Sequence, residues 1–293
     1  MKVTKELLQK MINAPERYQV LEQNPFEVMY ENNELPVILK PELVSDTYNK
    51  KMVILDTETT GLNQSSDEII ELAFVVLTYN LRTYDIVSID SLYDEFCEPT
   101  KAITSKITQV TGITPAMVAG KKITISDIEP YFPQRFLFVA HNAGFDRKFI
   151  DRKFPDLKDK PWADTLTEID WSAKGFKKSN LEALMYGLGA FYTAHRAIND
   201  VLALLYVIDK TRSLEELILS ASQKSVEVEV DIDYSHKQLV KDCGFKWFAQ
   251  NKTWKCNYRK MNDWKADKEM IISNGAKLKI VDMKLISSTE RYK

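Results

Sequence analysis

An apolar run, Met52-Val53-Ile54-Leu55, delivers two acids, Asp56 and Glu58, with one threonine between them. Side chains two apart on a strand share a face, so both carboxylates point the same way and repel unless a cation sits beside them. Strands also finish in polar turns, and a single D-x-E is common, so the pair acquires meaning only from the rest of the chain. Asp146 follows a glycine-containing loop in "HNAGFD", where a strand gives way to a helix. Asp200 lies on the polar side of the apolar helix "HRAINDVLALLYVIDK", five residues after His195. Each has an ordinary reading: an acid in a first helical turn, a solvated helix face, a capping histidine. Taken together, four acids and a histidine at strand ends and helix starts suit a site for two divalent ions roughly 3.5–4 Å apart on a phosphodiester. Hard oxygen ligands select Mg2+ or Mn2+ over zinc, and an imidazole titrating near working pH suits His195 as a general base for the attacking water.

The surrounding sequence must build strands that end where these acids begin. "DEIIELAFVVLTY" mixes a continuous apolar core with β-branched residues and reads as a buried strand; "IVSIDSLYDEFCEP" reads as a third. Phe136–Ala140 forms a strand before the Asn142–Gly144 loop, and "PWADTLTEIDW" carries another strand-to-helix transition. Ser179, with Glu182 three residues on, has the spacing of a capping box for the helix "LEALMYGLG". Alternating strands and helices predict an α/β layer with a mixed sheet.

Composition is that of an ordinary globular chain: 293 residues, 44% hydrophobic, 28% charged, formal net charge −2. Three widely spaced cysteines make neither a disulfide framework nor a zinc site. There is no signal peptide and no membrane span, so the expected compartment is the cytoplasm. Three stretches follow from texture. Residues 1–50 form an N-terminal extension, with a short helical piece around Glu6–Ile12 and a strand-like "LPVILKP". Residues 51–212 hold the candidate site. Residues 213–293 form a small α+β domain that opens on the alternating "VEVEVDIDY". Between His236 and Lys268 nine basic residues face three acids, interleaved with Phe245, Trp247, Phe248, Trp254, Tyr258 and Trp264. Cations for phosphates and rings for stacking are the ingredients of a nucleic-acid platform, although a domain this small also needs tryptophans for its core.

In order, "LDTETTGL", "HNAGFD" and "HRAINDVLAL" resemble the three exonuclease motifs of the DnaQ-like 3′–5′ exonucleases that carry an active-site histidine. "KITQVTGIT" and "SNLEALMYGLG" resemble intermediate segments of that family, over about Lys51 to Lys210. "LVKDCGFKWFAQNKTWKC" resembles the small C-terminal module of exonuclease X-like proteins. The resemblance implies a ribonuclease H-like mixed sheet with flanking helices. It implies Asp56, Glu58, Asp146 and Asp200 as ligands of two Mg2+ or Mn2+ ions and His195 as the base. It further implies contacts to the terminal nucleotide from Thr57, Gly61 and Leu62, a wedge at Ile113, and a pocket shaped by Asn142 and Phe145. The implied activity is hydrolysis of DNA from single-stranded 3′ ends with release of nucleoside monophosphates, in repair, recombination or phage-related DNA metabolism. RNA 3′-end trimming and a polymerase-associated proofreading role are the alternatives.

Overall fold

The computed structural model describes residues 9–11, 13, 21–27, 35–132, 136–259 and 261–293. Positions 6–8 and 12 of the expected N-terminal helical piece lie outside these residues. In chain order the elements that matter are β1 (Asn49–Thr59), β2 (Ile69–Asn80), β3 (Ile86–Phe96), α1 (Ser105–Thr111), β4 (Leu137–Ala140), α2 (Ala143–Lys153) and β5 (Trp162–Asp164). They continue with α3 (Leu181–Gly187), α4 (Ala197–Thr211), α5 (Leu214–Ser222), β6 (Ser225–Ile232), β7 (Lys246–Phe248), β8 (Thr253–Tyr258), α6 (Met261–Ser273) and β9 (Leu278–Ile286). The class is the expected one, α/β with both antiparallel and parallel strand pairing.

The chain divides into two units that interleave in sequence: Met1–Tyr131 with Asp170–Leu214, and Phe132–Ile169 with Glu215–Lys293. In the first unit β2 lies between β1 and β3, antiparallel to both. Of "LPVILKP" only Val37–Ile38 becomes a strand, paired with the edge of β3, and Pro41 starts a 3-10 turn because its ring presets φ. Nearly every residue of β2 is buried, which matches its largely apolar sequence. Helix α4 packs on β1 and β2 with a face that buries Val201, Leu202, Leu204, Leu205 and Ile208. Helix α1 is capped by the Thr104 hydroxyl, which accepts from Ile107 N, and ends at Gly112, whose φ of +73° favours glycine. Helix α3 starts differently from its expected box: the N-cap is Asn180 rather than Ser179, and no side chain caps it.

In the second unit β4 and β5 run parallel, with Phe138 opposite Trp162. The remaining sheet has the antiparallel order β7-β8-β6-β9. In β6, Val226, Val228, Val230 and Ile232 are buried, as the alternating sequence requires. They form one core with Val240, Phe245, Trp254, Tyr258, Trp264 and Ile271. The aromatic stretch therefore splits: Trp254 and Trp264 are core, while Trp247 is 51% exposed and rests edge-on against Trp254. None of the three cysteines is in a disulfide. Among the described residues no helix is long and apolar enough to cross a membrane.

Candidate active site

Strand β1 runs through the acids. Met52–Leu55 are buried, Thr57 and Thr59 are buried, and Asp56 and Glu58 are half-buried, so the two carboxylates share the more open face. The start of α4 brings Asp200 to them. One oxygen from each of Asp56, Glu58 and Asp200 lies within 4.8 Å of the others.

Asp200 is held from two sides. The Tyr192 hydroxyl donates to its Oδ1 at 2.8 Å, and the His195 backbone N–H donates to its Oδ2 at 2.9 Å. Burial nonetheless dominates and pushes its pKa up to about 6, while those donors and the nearby His195 pull it down. The Tyr192 hydroxyl titrates far above its ordinary range, because burial and the adjacent Asp200 both disfavour its anion. His195 itself is exposed and sits at φ +66°, a left-handed conformation that non-glycine residues seldom adopt. Three hard oxygens this close, whose like charges repel and one of which is disfavoured as an anion by burial, fit a divalent cation.

Sequence reasoning missed the pair that seats α4. Glu71 is completely buried near the start of β2, opposite Glu58 in the register. Arg196 donates to it through Nε at 2.9 and 3.2 Å and through Nη2 at 2.6 Å, and Ala197 N donates to Oε2 at 2.9 Å. The Arg196 guanidinium also lies over the Phe96 ring, 5.1 Å from its centroid. Position 196 is thereby fixed between His195 and the first turn containing Asp200. A signal was available: one carboxylate in "IIELAFVV" must be paired if that strand is buried.

The remaining residues of the resemblance fall in different settings. Thr57 is buried. Gly61 is tight against Asp67, whose Oδ2 would be 2.5 Å from an added Cβ, so any side chain there would push the Asp67 carboxylate aside. Leu62 is 84% exposed. Ile113 is fully buried against Ile70 and Val118, so a wedge role requires that corner to open. In the second unit Asp146 is buried in the first turn of α2. Its loop is fixed by Asp164, whose Oδ1 accepts from Asn142 N at 2.8 Å and Leu166 N at 2.9 Å, and whose Oδ2 accepts from Thr167 Oγ1 at 2.8 Å. Asn142 is exposed at φ +81°, and Phe145 stacks in a tilted contact on Phe149 at 4.9 Å. His141 Nδ1 lies 2.8 Å from Thr165 Oγ1. His236 pairs with Asp233.

The profile of the exonuclease family matches residues 53–208, just over half of the chain. The chain belongs to that family. Among curated relatives, the PolC-type DNA polymerase III of Clostridium perfringens is 31% identical over 208 residues, covering 69% of this chain and 13% of the polymerase. That of Thermotoga petrophila is 33% identical over 174 residues, covering 56% and 12%. The chain thus spans about an eighth of the length of these relatives. Among solved structures, Escherichia coli exonuclease I in complex with a dA16 oligonucleotide is 16% identical with a TM-score of 0.48, over 61% of this chain and 48% of that one. Exonuclease X in complex with 5′ overhanging duplex DNA is 26% identical with a TM-score of 0.41, over 57% and 96%.

Proposed function

We propose that this exonuclease hydrolyses DNA from the 3′ end with two Mg2+ or Mn2+ ions, releasing nucleoside monophosphates. The observation that carries the reading is the carboxylate cluster of Asp56, Glu58 and Asp200, within 4.8 Å and built by β1 and α4 of the family domain. Asp146 takes the fourth ligand role through its motif, "HNAGFD". When bound, divalent ions neutralise such carboxylates, lower the pKa of the attacking water and stabilise the leaving oxygen.

The chain's own residues supply the rest. A ring nitrogen of His195 accepts the proton of the attacking water as its oxygen bonds to phosphorus and the P–O3′ bond breaks; the departing 3′ oxygen ends protonated. Exposure lets the imidazole reach solvent, and the Glu71–Arg196 pair anchors the backbone it hangs from. Leu62 stacks beneath the last base, which favours an unpaired 3′ end. In residues 213–293 the exposed rings of Trp247 and Tyr234, the latter under Lys237 Nζ at 3.6 Å, support the nucleic-acid platform reading. Similarity to PolC-type polymerases favours, as a second reading, a proofreading nuclease that works beside a polymerase.

Incubation with 5′-labelled single-stranded DNA, duplex DNA and RNA in Mg2+ tests the reading. Stepwise shortening from the 3′ end, fastest on single-stranded DNA, is expected; internal cleavage or a preference for RNA overturns it. Stimulation only on addition of a polymerase supports the second reading.

A further inference from the structure

Helix α2 carries Asp146 but does not fix its own position. Its N-cap, Asn142, makes no side-chain capping bond, and the helix is only 11 residues long. Asp164 holds its entry loop, and the residue after Asp146 ties the helix body to the rest of the unit. Arg147 is fully buried, and each of its guanidinium nitrogens is used. Nη1 donates to Arg291 O at 2.6 Å and Ser288 O at 3.4 Å; Nη2 donates to Thr289 O at 2.6 Å and Lys158 O at 2.7 Å. Nε donates to Asp151 Oδ2 at 3.1 Å. Three of these four carbonyls belong to a segment some 140 residues further along the chain.

That segment is itself strapped down. Arg291 donates to Glu168 Oε1 at 3.2 Å and to the carbonyls of Ser220 at 2.9 Å and Gln223 at 2.5 Å. The Tyr292 hydroxyl donates to the same Glu168 oxygen, and its backbone takes up φ +68°. A Cβ on Gly144 would meet the Tyr292 ring at 3.9 Å, so this ring covers the first turn of α2 two residues before Asp146. Sliding or rotating α2 would break the guanidinium fork and lift the ring off Gly144.

We propose that the segment Ser287–Lys293 positions Asp146, with Arg147 and Tyr292 as positioning residues that set the register of α2. The inference rests on the reading of Asp146 as a metal ligand. A ligand oxygen must be placed to within tenths of an ångström, and outer contacts that orient ligands commonly change metal affinity or activity by about 10- to 100-fold. The fork-shaped guanidinium suits the task, since a lysine reaches one or two carbonyls where Arg147 reaches four.

The test uses the full chain with Tyr292→Ala, Tyr292→Phe and Arg147→Lys, each followed by Mg2+ titration of nuclease activity, KM for single-stranded DNA and thermal midpoint. Tyr292→Ala and Arg147→Lys are expected to raise the half-activating Mg2+ concentration about 10-fold, with turnover restored at high Mg2+ and KM little changed. Tyr292→Phe, which keeps the ring on Gly144, restores most of the wild-type curve. A lowered thermal midpoint with an unmoved Mg2+ curve in Tyr292→Ala overturns the proposal, whether or not Arg147→Lys folds. Asp146→Asn separates the two layers. If its Mg2+ curve matches wild type, the ligand reading fails and takes the proposal with it; if it responds while Tyr292→Ala does not, only the positioning role fails.

Discussion

Replacing Arg196 with methionine should destabilise the first unit and disable the site together. The guanidinium supplies three of the four close contacts to Glu71, and the carboxylate has no exposed surface. Breaking a buried ion pair from one side costs about 3–5 kcal/mol, because the remaining charge is stranded. The Arg196 side chain is 30% exposed, so water can reach part of the gap and the lower end applies, about 3 kcal/mol. For a domain of this size each kcal/mol moves Tm by roughly 2–4 °C, so a fall of about 6–12 °C is expected. The double variant Glu71→Leu/Arg196→Met removes both charges and should recover most of that loss, because no buried charge is left unpaired. Urea denaturation of the two single variants and the double variant yields the coupling directly. A loss below about 0.5 kcal/mol in Arg196→Met, or a double variant no better than the single, would show that the Glu71 charge does not depend on Arg196.

His195→Ala should lower turnover by roughly two to four orders of magnitude with little change in KM, the usual effect of losing a positioned base; overlapping pH–rate profiles for wild type and variant would remove it from the mechanism. Trp254→Ala should cost about 3–5 kcal/mol and loosen the small sheet, whereas Trp247→Ala should leave stability intact and weaken binding of long single strands, measured by denaturation and fluorescence binding at two salt concentrations. The reverse pattern contradicts the platform reading. Thr253 Oγ1, Asn251 Nδ2 and Lys255 Nζ hold the Glu229 carboxyl at about 2, below its ordinary 4.5. A depressed folded-state pKa stabilises above the unfolded value and is lost as pH falls through the folded one. The stability gap between wild type and Glu229→Gln should therefore be full above about pH 4.5 and shrink towards pH 2. An equal gap at pH 6 and pH 3 contradicts the assignment.

Much of the site was legible because its signals are local. The two-residue strand period puts Asp56 and Glu58 on one face, and an isolated acid in an apolar helix marks Asp200; the structure brings these three together. What was illegible depends on partners distant in sequence. Glu71, an acid in an apolar run, signals locally that it needs a partner, but nothing local points to Arg196, 125 residues away. Composition could not divide Trp247 from Trp254 and Trp264, since burial depends on how β7, β8 and α6 fold over β6. Nor does any local pattern say that Arg147 will be sealed by carbonyls from Ser288 to Arg291, so that residues 132–169 group with 215–293. Ile113 illustrates the converse: motif position marks it for substrate contact, and packing buries it.

The proposed divalent-metal site for 3′-end hydrolysis is made by Asp56, Glu58 and Asp200. It is tested most directly by the products that wild type, Asp56→Ala and Asp200→Ala release from a 5′-labelled single-stranded oligonucleotide, with Mg2+ and with chelator. A Mg2+-dependent ladder of single-nucleotide steps is expected for wild type, none with chelator, and none from either variant although both remain folded by circular dichroism. Near-normal turnover of either variant at saturating Mg2+, or a ladder that persists in chelator, would contradict it.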